Sequence, residues 1–311
     1  MGLSLVSVVI PTHNRKHSVE ILIKSVLASS YENIEIVVVD DASTDDSYVT
    51  LKQKFGQLPF FNIVRNKRNL MVAESRNVGI RQSKGELIFL VDDDNVLDTH
   101  CIEELVKVAI SDKKVGMVGP VMYYYKNPSK IWWAGTRRNI ITSRTYYIGR
   151  DLPLPEEKEI WETEEFPNAF MVKREVFRDI SYFNSVLFPI HYEEADFGIR
   201  AINAGYLLYV VGKAKLFHNL PIAGKHADMA RVLHVHNPYR AYMAGRNRIL
   251  FHKKYSKRLY YLMFVSFWLW LTTAYYIKVI LTGLSHEPFK KRYKIAKAYL
   301  RGVFDGLRGT I

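Results

Sequence analysis

Three consecutive carboxylates, Asp92, Asp93 and Asp94, follow a predicted buried strand at positions 86–91. Neighbouring carboxylates repel one another, and a dry site would leave them unpaired unless a positive charge lay between them. Mg²⁺ and Mn²⁺ prefer such hard oxygen ligands. Alternate side chains of an extended segment point the same way, so Asp92 and Asp94 share a face. The motif predicts a divalent metal site, with a solvated acidic turn as the alternative.

The elements that must position this cluster alternate between apolar strands and amphipathic helices. Strands are predicted at 5–10, where Pro11 ends the strand, and at 34–39, 61–64, 86–91 and 115–119, with helices at about 72–83 and 102–109. A second acidic group begins at Asp40, also at a strand end. The alternation predicts a doubly wound, mostly parallel α/β sheet with ligand sites at the carboxyl ends of its strands. Both acidic groups are therefore expected in one site.

Composition narrows the classes of ligand and partner. The 311-residue chain can bury a sizeable core, and its net charge of +13 admits nucleic acid, anionic lipid or a phosphorylated substrate. The single cysteine, Cys101, excludes an intrachain disulfide and a cysteine-based zinc site. We expect no signal peptide, because the N-terminus runs directly into a strand. A P-loop and a Gly-rich dinucleotide fingerprint are both missing from the sequence, so side chains and metal are expected to hold the ligand.

Six ordered segments resemble family 2 glycosyltransferases, which have the GT-A fold and use nucleotide sugars. The segments lie within positions 8–14, 37–45, 74–80, 90–95, 193–200 and 204–218. The resemblance covers about the first 220 residues and implies a catalytic domain at 1–235. Its nucleotide-binding half is expected at about 1–120 and its acceptor half at about 121–235.

The resemblance implies a metal-assisted nucleotide site. Asp92 and Asp94 would hold Mn²⁺ or Mg²⁺ on the diphosphate of a UDP-, GDP- or dTDP-sugar, and His218 would complete the metal shell. The alternative for His218 is a buried histidine that closes a strand. The residues expected around the nucleotide are Pro11, Thr12, Asn14, Asp41, Arg76, Asp92 and Asp93.

Glu194 is the predicted general base for attack by the acceptor hydroxyl. The family usually has an aspartate in this place, so Glu193 stays open as the alternative. Either carboxylate must come within hydrogen-bond reach of the hydroxyl, roughly 2.6–3.2 Å. Asp196 and Arg200 have i, i+4 spacing on a predicted helix and are expected to support the base.

Aromatic segments between the sheet and the base point to the acceptor. Trp133 is predicted to stack on a sugar, in preference to Trp132, although paired tryptophans are also ordinary core residues. Asn168 is placed in the same acceptor or supporting group. The acidic, proline-containing segment 151–165 is predicted to form a mobile loop over the cleft.

The C-terminal region 236–311 is predicted to be helical, basic and membrane-associated. Positions 259–277 carry no formal charge and would form a helix of roughly 28 Å, close to the thickness of a bilayer core. Basic residues flank it on both sides, so a span, an in-plane helix and a re-entrant hairpin around Thr282 and Gly283 all stay open. The basic segment 240–258 is expected to touch headgroups or a lipid-linked diphosphate, and the tail 289–307 to form a surface helix. The Arg-Asn-Arg run at 246–248, within the basic segment, resembles rhamnosyltransferase-type members of the family.

These features predict an inverting, metal-dependent glycosyltransferase that acts on a lipid-linked or membrane-proximal glycan. The catalytic domain is expected on the cytoplasmic face of the membrane. One alternative is a polyprenyl-phosphate sugar synthase, whose phosphate acceptor needs no general base. A basic nucleic-acid-binding protein is disfavoured, because the charge is concentrated beside an apolar segment and the acidic cleft would repel phosphates.

Overall fold

The computed structural model describes residues 3–153, 159–219, 230, 233, 235–284 and 287–310. The chain divides into two compact units. The first comprises Met1–Arg137, Tyr147–Asn184 and Glu194–Leu220, and the second comprises Arg138–Tyr146, Ser185–Glu193 and Pro221–Ile311. The second unit thus includes two short segments from within the predicted catalytic domain. Residues 154–158 of the predicted loop at 151–165 lie outside the described residues, and within its described part Ile160–Glu162 form a strand instead of a loop.

The first unit is built on one large mixed sheet. Its strands are β1 Val6–Thr12, β2 Ile34–Asp40, β3 Phe61–Arg65, β4 Leu87–Val91, β5 Asn95–Leu97, β6 Val115–Tyr124, β7 Asn127–Trp133, β10 Ile160–Glu162, β11 Ala169–Lys173 and β12 Leu207–His218. The strand order is β10-β12-β6-β11-β4-β1-β2-β3, with β5 beside β12 and β7 beside β6. β8 Thr136–Asn139 and β9 Arg144–Tyr147 form a separate pair.

Helices alternate with the first strands, as predicted. They are α1 Lys16–Leu27, α2 Ser47–Phe55, α3 Met71–Gln82, α4 Cys101–Ala109, α5 Arg174–Ile180 and α6 Glu193–Asn203. Strands β1 to β4 pair in parallel, and the last five residues of β2 are fully buried, which fits a sheet covered on both faces. The sheet is mixed rather than mostly parallel, because β11 is inserted antiparallel between β4 and β6.

Two strand ends differ from prediction. β1 continues through Pro11 to Thr12 instead of stopping at Pro11. Its pairing with β4 ends at Val9, while its pairing with β2 continues, so a residue that lacks an N–H is tolerated there. The sixth strand runs to Tyr124, well past the predicted end at 119.

The described part of the second unit includes three long helices, α7 Pro238–Tyr255, α8 Arg258–Gly283 and α9 Phe289–Arg308. Asn237 caps α7 by accepting a hydrogen bond from the Arg240 amide at 2.9 Å. Close packing of α7 on α9 depends on glycine, since a Cβ atom at Gly302 would lie 2.1 Å from the Tyr242 carbonyl oxygen. The tail helix α9 therefore buries one face within the unit, including Ile295 and Tyr299.

Helix α8 is long and apolar enough to cross a membrane. It has 26 residues, and only 28% of its apolar window is buried, whereas the core helix of a soluble protein that meets the same criterion is mostly buried. Within its first half, Phe264–Trp268 form a π-helical segment. By length and composition this helix agrees with the predicted apolar segment at 259–277.

The predicted headgroup contact of segment 240–258 is wrong for its central residues. Arg246 and Arg248 are 5% and 6% exposed, and Asn247 is fully buried. Their donors bind carbonyl and hydroxyl oxygens inside the second unit, which leaves them inaccessible to a lipid surface.

Candidate active site

The acidic turn lies between β4 and β5, at the carboxyl end of β4. The side chain of Asp93 accepts hydrogen bonds from Thr12 Oγ1 at 2.7 Å and from Arg15 Nη1 at 3.0 Å. Arg15 Nη1 also donates to Asp94 Oδ2 at 2.8 Å. β1 supplies Thr12, and Arg15 immediately precedes α1, so the parallel pairing of β1 with β4 brings these groups together.

His218, the last residue of β12, lies next to Asp94. Its Nε2 is 3.3 Å from Asp94 Oδ1, and β12 pairs with β5 in a register that sets His218 opposite Asn95. Burial acts to raise the pKa of Asp94, but His218 and Arg15 outweigh burial and hold this pKa below its usual range. His218 Nδ1 is buried and makes no hydrogen bond among the described residues.

Asp93 differs from its neighbour in its affinity for a proton. Its side chain is 7% exposed. Burial raises its pKa to about 7, the charges of Asp94 and Asp92 act in the same direction, and Arg15 and Thr12 oppose them. The pKa values of two adjacent carboxyl groups are therefore shifted in opposite directions, an arrangement that is concentrated at functional sites.

Arg76 connects the acidic turn to the predicted base. This arginine of α3 is 1% exposed; its Nη2 donates to Asp92 Oδ1 at 2.7 Å, and its Nη1 lies 2.9 Å from Glu194 Oε1. Glu194 also accepts a hydrogen bond from the Asn168 amide at 3.0 Å. The structure thus brings together Asp92, Arg76, Glu194 and Asn168 from four separate parts of the sequence.

The pKa of Glu194 is raised, chiefly by burial and further by the charge of Asp92, while Arg76 opposes this shift. A raised pKa moves a carboxylate towards the range in which it accepts and releases a proton near neutral pH. Its neighbour Glu193 is buried and belongs to the second unit. Asp196 and Arg200 pair at 2.9 Å, as their spacing predicts.

The carboxylate of Asp41 organises the turn that precedes α3. It accepts hydrogen bonds from Asn66 Nδ2 at 2.8 Å and from the amides of Leu70 and Met71 at 2.8 and 3.0 Å. Asn14, beyond β1, accepts from the Thr44 amide at 2.7 Å. The left-handed backbone at Asn14 and Met71 marks a loop geometry that ordinary sterics disfavour and that is concentrated at functional sites.

The two tryptophans are placed differently from the prediction. Trp133 is fully buried, and its Nε1 donates to Thr136 Oγ1 at 2.8 Å, so it is a core residue that the structure does not bring to the acidic turn. The ring of Trp132 meets the ring of His218 edge-on, with centroids 4.2 Å apart. Trp132 is therefore the tryptophan at this site.

Sequence reasoning missed three polar residues of the site: Arg15, Asn66 and Asn95. Asn95 donates to the Asp92 carbonyl oxygen at 2.8 Å and exchanges side-chain hydrogen bonds with Asn168 at 2.8 and 3.2 Å. Its position directly after the three aspartates was the available signal. Arg15 and Asn66 reach the site only because strands that are distant in the sequence pair with each other. No local sequence pattern marks either residue as part of the site.

The oxygen and nitrogen atoms at the acidic turn are of the types that coordinate a divalent cation. Asp94 and His218 offer an oxygen and a nitrogen ligand that already lie 3.3 Å apart. Asp92 instead faces Arg76, and within the described ranges no three His, Cys, Asp or Glu residues form a group arranged to hold a metal. In this structure Arg15 supplies the positive charge beside Asp93 and Asp94.

Comparison with known proteins places this site in a family. The profile described as "Glycosyl transferase family 2" matches residues 7–181, more than half of the chain, so the chain belongs to glycosyl transferase family 2. An uncharacterized glycosyltransferase of Haemophilus influenzae is 34% identical over 115 residues, which are 37% of this chain and 37% of that protein. The match thus spans little more than a third of that relative's length.

Two further proteins are similar over most of their length. The dTDP-rhamnosyl transferase RfbF of Shigella flexneri is 24% identical over 283 residues, which are 89% of this chain and 88% of that protein. The structure of the mannosyltransferase PcManGT from Pyrobaculum calidifontis, in complex with GDP-Man and Mn2+, is similar with a TM-score of 0.59 and 16% identity, covering 98% of this chain and 88% of that one. This structural likeness confirms the predicted GT-A fold.

Proposed function

We propose that this protein is an inverting glycosyltransferase that uses a nucleotide-diphosphate sugar and a divalent metal. The observation that carries the proposal is the bridge from Asp92 through Arg76 to Glu194, beside the acidic turn. It sets a carboxylate of raised pKa next to the acidic group expected at the diphosphate. Membership of glycosyl transferase family 2 supports transfer of a sugar as the reaction.

On the donor side, Thr12, Asp41 and Arg76 are proposed to surround the nucleotide, together with Pro11, Asn14, Asp92 and Asp93. Arg76 has the fork geometry that binds phosphate or carboxylate oxygens through paired hydrogen bonds. Asp41 fixes the turn through three hydrogen bonds, so its proposed contribution is to shape the pocket as well as to contact the base.

Asp94 and His218 are the residues proposed to hold the metal, together with Asp92 from the same turn, whose Oδ1 accepts a hydrogen bond from Arg76 in this structure. When bound, a divalent cation supplies Lewis-acid stabilisation of the diphosphate charge. Arg15 is the group that would have to release Asp94, and about half of its side chain is exposed to solvent. The buried Nδ1 of His218 then needs a partner to fix the ring, a requirement that histidine ligands usually satisfy through a second hydrogen bond.

Glu194 is proposed as the base. The acceptor oxygen attacks the anomeric carbon from the face opposite the leaving group, the bond from that carbon to the phosphate oxygen breaks, and the nucleoside diphosphate leaves with the bonding pair. The hydroxyl proton passes to a carboxylate oxygen of Glu194. The Asn168 amide and Arg76 both contact Oε1, so they orient this carboxylate.

An acceptor at a membrane surface is supported by the second unit. Along α9, Phe289, Tyr293, Leu300 and Phe304 repeat on one exposed stripe, and they are 65%, 59%, 37% and 50% exposed. Lysines and arginines border this stripe, and some of them line a groove of about 640 Å³. Aromatic side chains beside basic ones favour an anionic lipid surface. We propose membrane association with a lipid-linked glycan acceptor on the cytoplasmic face.

The first test is release of nucleotide from a panel of dTDP-, GDP- and UDP-sugars by the full chain purified in detergent, with Mn²⁺, Mg²⁺ or EDTA. We put dTDP-rhamnose first, because a dTDP-rhamnosyl transferase aligns along 89% of the chain. Metal-dependent release from one donor supports the proposal. If no donor is hydrolysed and no nucleotide binds in the presence of metal, the proposal fails.

A polyprenyl-phosphate sugar synthase is the second candidate function, since the basic residues and the apolar helix of the second unit are also compatible with a lipid phosphate acceptor. Glu194→Gln separates the two reactions, because a phosphate acceptor is already ionised and needs no base. Transfer to a hydroxyl acceptor should fall at least about a hundredfold, within the range for loss of a general base. The exposed Glu162→Gln serves as the control. Full activity of Glu194→Gln on a lipid phosphate would favour the synthase.

A further inference from the structure

The second unit holds the segment that leads into the candidate base. This segment, Leu187–Tyr192, ends immediately before α6, whose first two residues are Glu193 and Glu194. Both His191 and Tyr192 have left-handed backbone, with φ of 62° and 70°. Two consecutive non-glycine residues in this region are each energetically unfavourable, and such a backbone persists only where neighbouring groups hold it.

The groups that hold this segment come from the middle of α7. Arg246 Nη2 donates to the Leu187 carbonyl oxygen at 2.6 Å. Asn247 Nδ2 donates to the carbonyl oxygens of Ile190 and His191 at 2.8 and 3.1 Å. These bonds bind three backbone oxygens of the segment, so they fix the path of the main chain.

The two α7 residues are also fixed relative to each other. Arg246 Nε donates to Asn247 Oδ1 at 3.0 Å, which leaves both amide protons of Asn247 directed at the segment. Asn247 is fully buried and Arg246 is 5% exposed, so water competes little for these carbonyl groups.

Contacts with an aromatic ring and with two arginines also constrain the side chain of Tyr192. Its ring lies 4.9 Å from that of Phe251, and the guanidinium of Arg138 lies 5.1 Å from its centroid. Arg248 Nε is 3.4 Å from the Tyr192 hydroxyl. The left-handed turn at His191 and Tyr192 is therefore held from both its main chain and its side chain.

We propose that Arg246 and Asn247 are positioning residues for catalysis, which fix the start of α6 and through it the carboxylate of Glu194. This inference rests on the proposed function. Segment 187–192 is joined to the candidate base through Glu193 and its peptide bond to Glu194. If the main chain of this segment were less constrained, the position of the Glu194 carboxylate would vary more. A misplacement of about 1 Å can lower turnover by about a hundredfold.

The test compares Asn247→Asp and Asn247→Ala in the full chain. Aspartate has the shape of asparagine but no N–H donors, so it should loosen the segment at least as much as alanine. We expect faster amide hydrogen exchange at 185–193 and a fall in kcat of about 10- to 100-fold. The KM for the donor sugar should stay within about twofold, because the donor-binding residues are untouched.

Val303→Ala is the matched control. It removes buried volume from α9 in the same unit and makes no hydrogen bond to the segment. If exchange at 185–193 is unchanged in the Asn247 variants, or if Val303→Ala lowers kcat equally at equal loss of stability, the positioning role is overturned. Inactivity of the unmodified protein on every donor would instead defeat the proposed function, while the exchange measurement would still decide whether Asn247 holds the segment.

Discussion

Arg76 Nη1 lies 2.9 Å from Glu194 Oε1, and this contact joins α3 to the start of α6 inside the first unit. The other terminal nitrogen of Arg76 binds Asp92, so one buried guanidinium connects the acidic turn with the candidate base. Removal of either carboxylate leaves a buried cation with less compensation. The relationship makes Arg76 the residue whose geometry matters most to the proposed chemistry.

Arg76→Lys should lower sugar transfer by about 10- to 100-fold. Lysine keeps the charge but lacks the planar fork that reaches two carboxylates at once. Initial rates of transfer at saturating donor measure the effect. Arg81→Lys, on the exposed face of the same helix, is the control and should retain activity. Equal activity of the two variants would contradict a bridging role.

His218→Asn should weaken Mn²⁺ binding by roughly tenfold to a hundredfold in the presence of a nucleoside diphosphate, an effect of the size seen when groups around a metal are altered. The variant removes the imidazole that lies 3.3 Å from Asp94. Electron paramagnetic resonance of free Mn²⁺ gives the affinity directly. His100→Asn changes an exposed histidine and should leave the affinity unaltered. Identical affinities for the unmodified protein and His218→Asn would remove His218 from the proposed metal set.

Gly302→Ala should destabilise the second unit by about 1–3 kcal/mol, the usual cost of overpacking. The new methyl group would lie 2.1 Å from the Tyr242 carbonyl oxygen, so α7 and α9 would have to separate. Chemical unfolding in detergent, followed by tryptophan fluorescence, measures the loss. The exposed Lys297→Ala on the same helix should be neutral. A stability for Gly302→Ala equal to that control would argue against the close helix contact.

His252 makes the stability of the second unit depend on pH. Burial lowers its pKa to about 3, and the charges of Arg138 and Arg248 act in the same direction. The unfolded chain binds a proton near pH 6.5. Between pH 6.5 and pH 3, His252 is protonated in the unfolded state but stays neutral in the folded state. The free energy of unfolding therefore falls by up to about 1.4 kcal/mol for each unit by which the pH is lowered.

His252→Phe should flatten this dependence. Phenylalanine retains a ring to stack on Phe264, whose centroid lies 4.1 Å from that of His252, but it cannot bind a proton. Unfolding midpoints between pH 7 and pH 4 should fall more steeply for the unmodified protein than for the variant. Parallel curves would show that His252 is not the group responsible.

The alternating strands and helices, and the edge of the sheet at which the acidic groups lie, could be predicted from local sequence patterns. Short, β-branched apolar runs such as Val37–Val39 indicate buried strands, and polar residues that follow parallel strands share one edge, because parallel strands end together. The pairing of Asp196 with Arg200 also followed from local spacing. The assignment to glycosyl transferase family 2 came from the order of six short segments and was confirmed.

Which side chains meet depends on the pairing of distant strands, which local sequence patterns do not encode. Arg15 reaches Asp93 and Asp94 because β1 lies beside β4, and no local pattern encodes that neighbour. Trp132 rather than Trp133 faces His218, since side chains alternate across a strand and the choice of face depends on the whole sheet. Buried polar residues of α7 were predicted at a membrane surface, because composition reports charge but not the partners that make burial favourable. Those partners are backbone carbonyl oxygens for Arg246 and Asn247 and the Tyr192 hydroxyl group for Arg248, and only the fold brings them to these side chains.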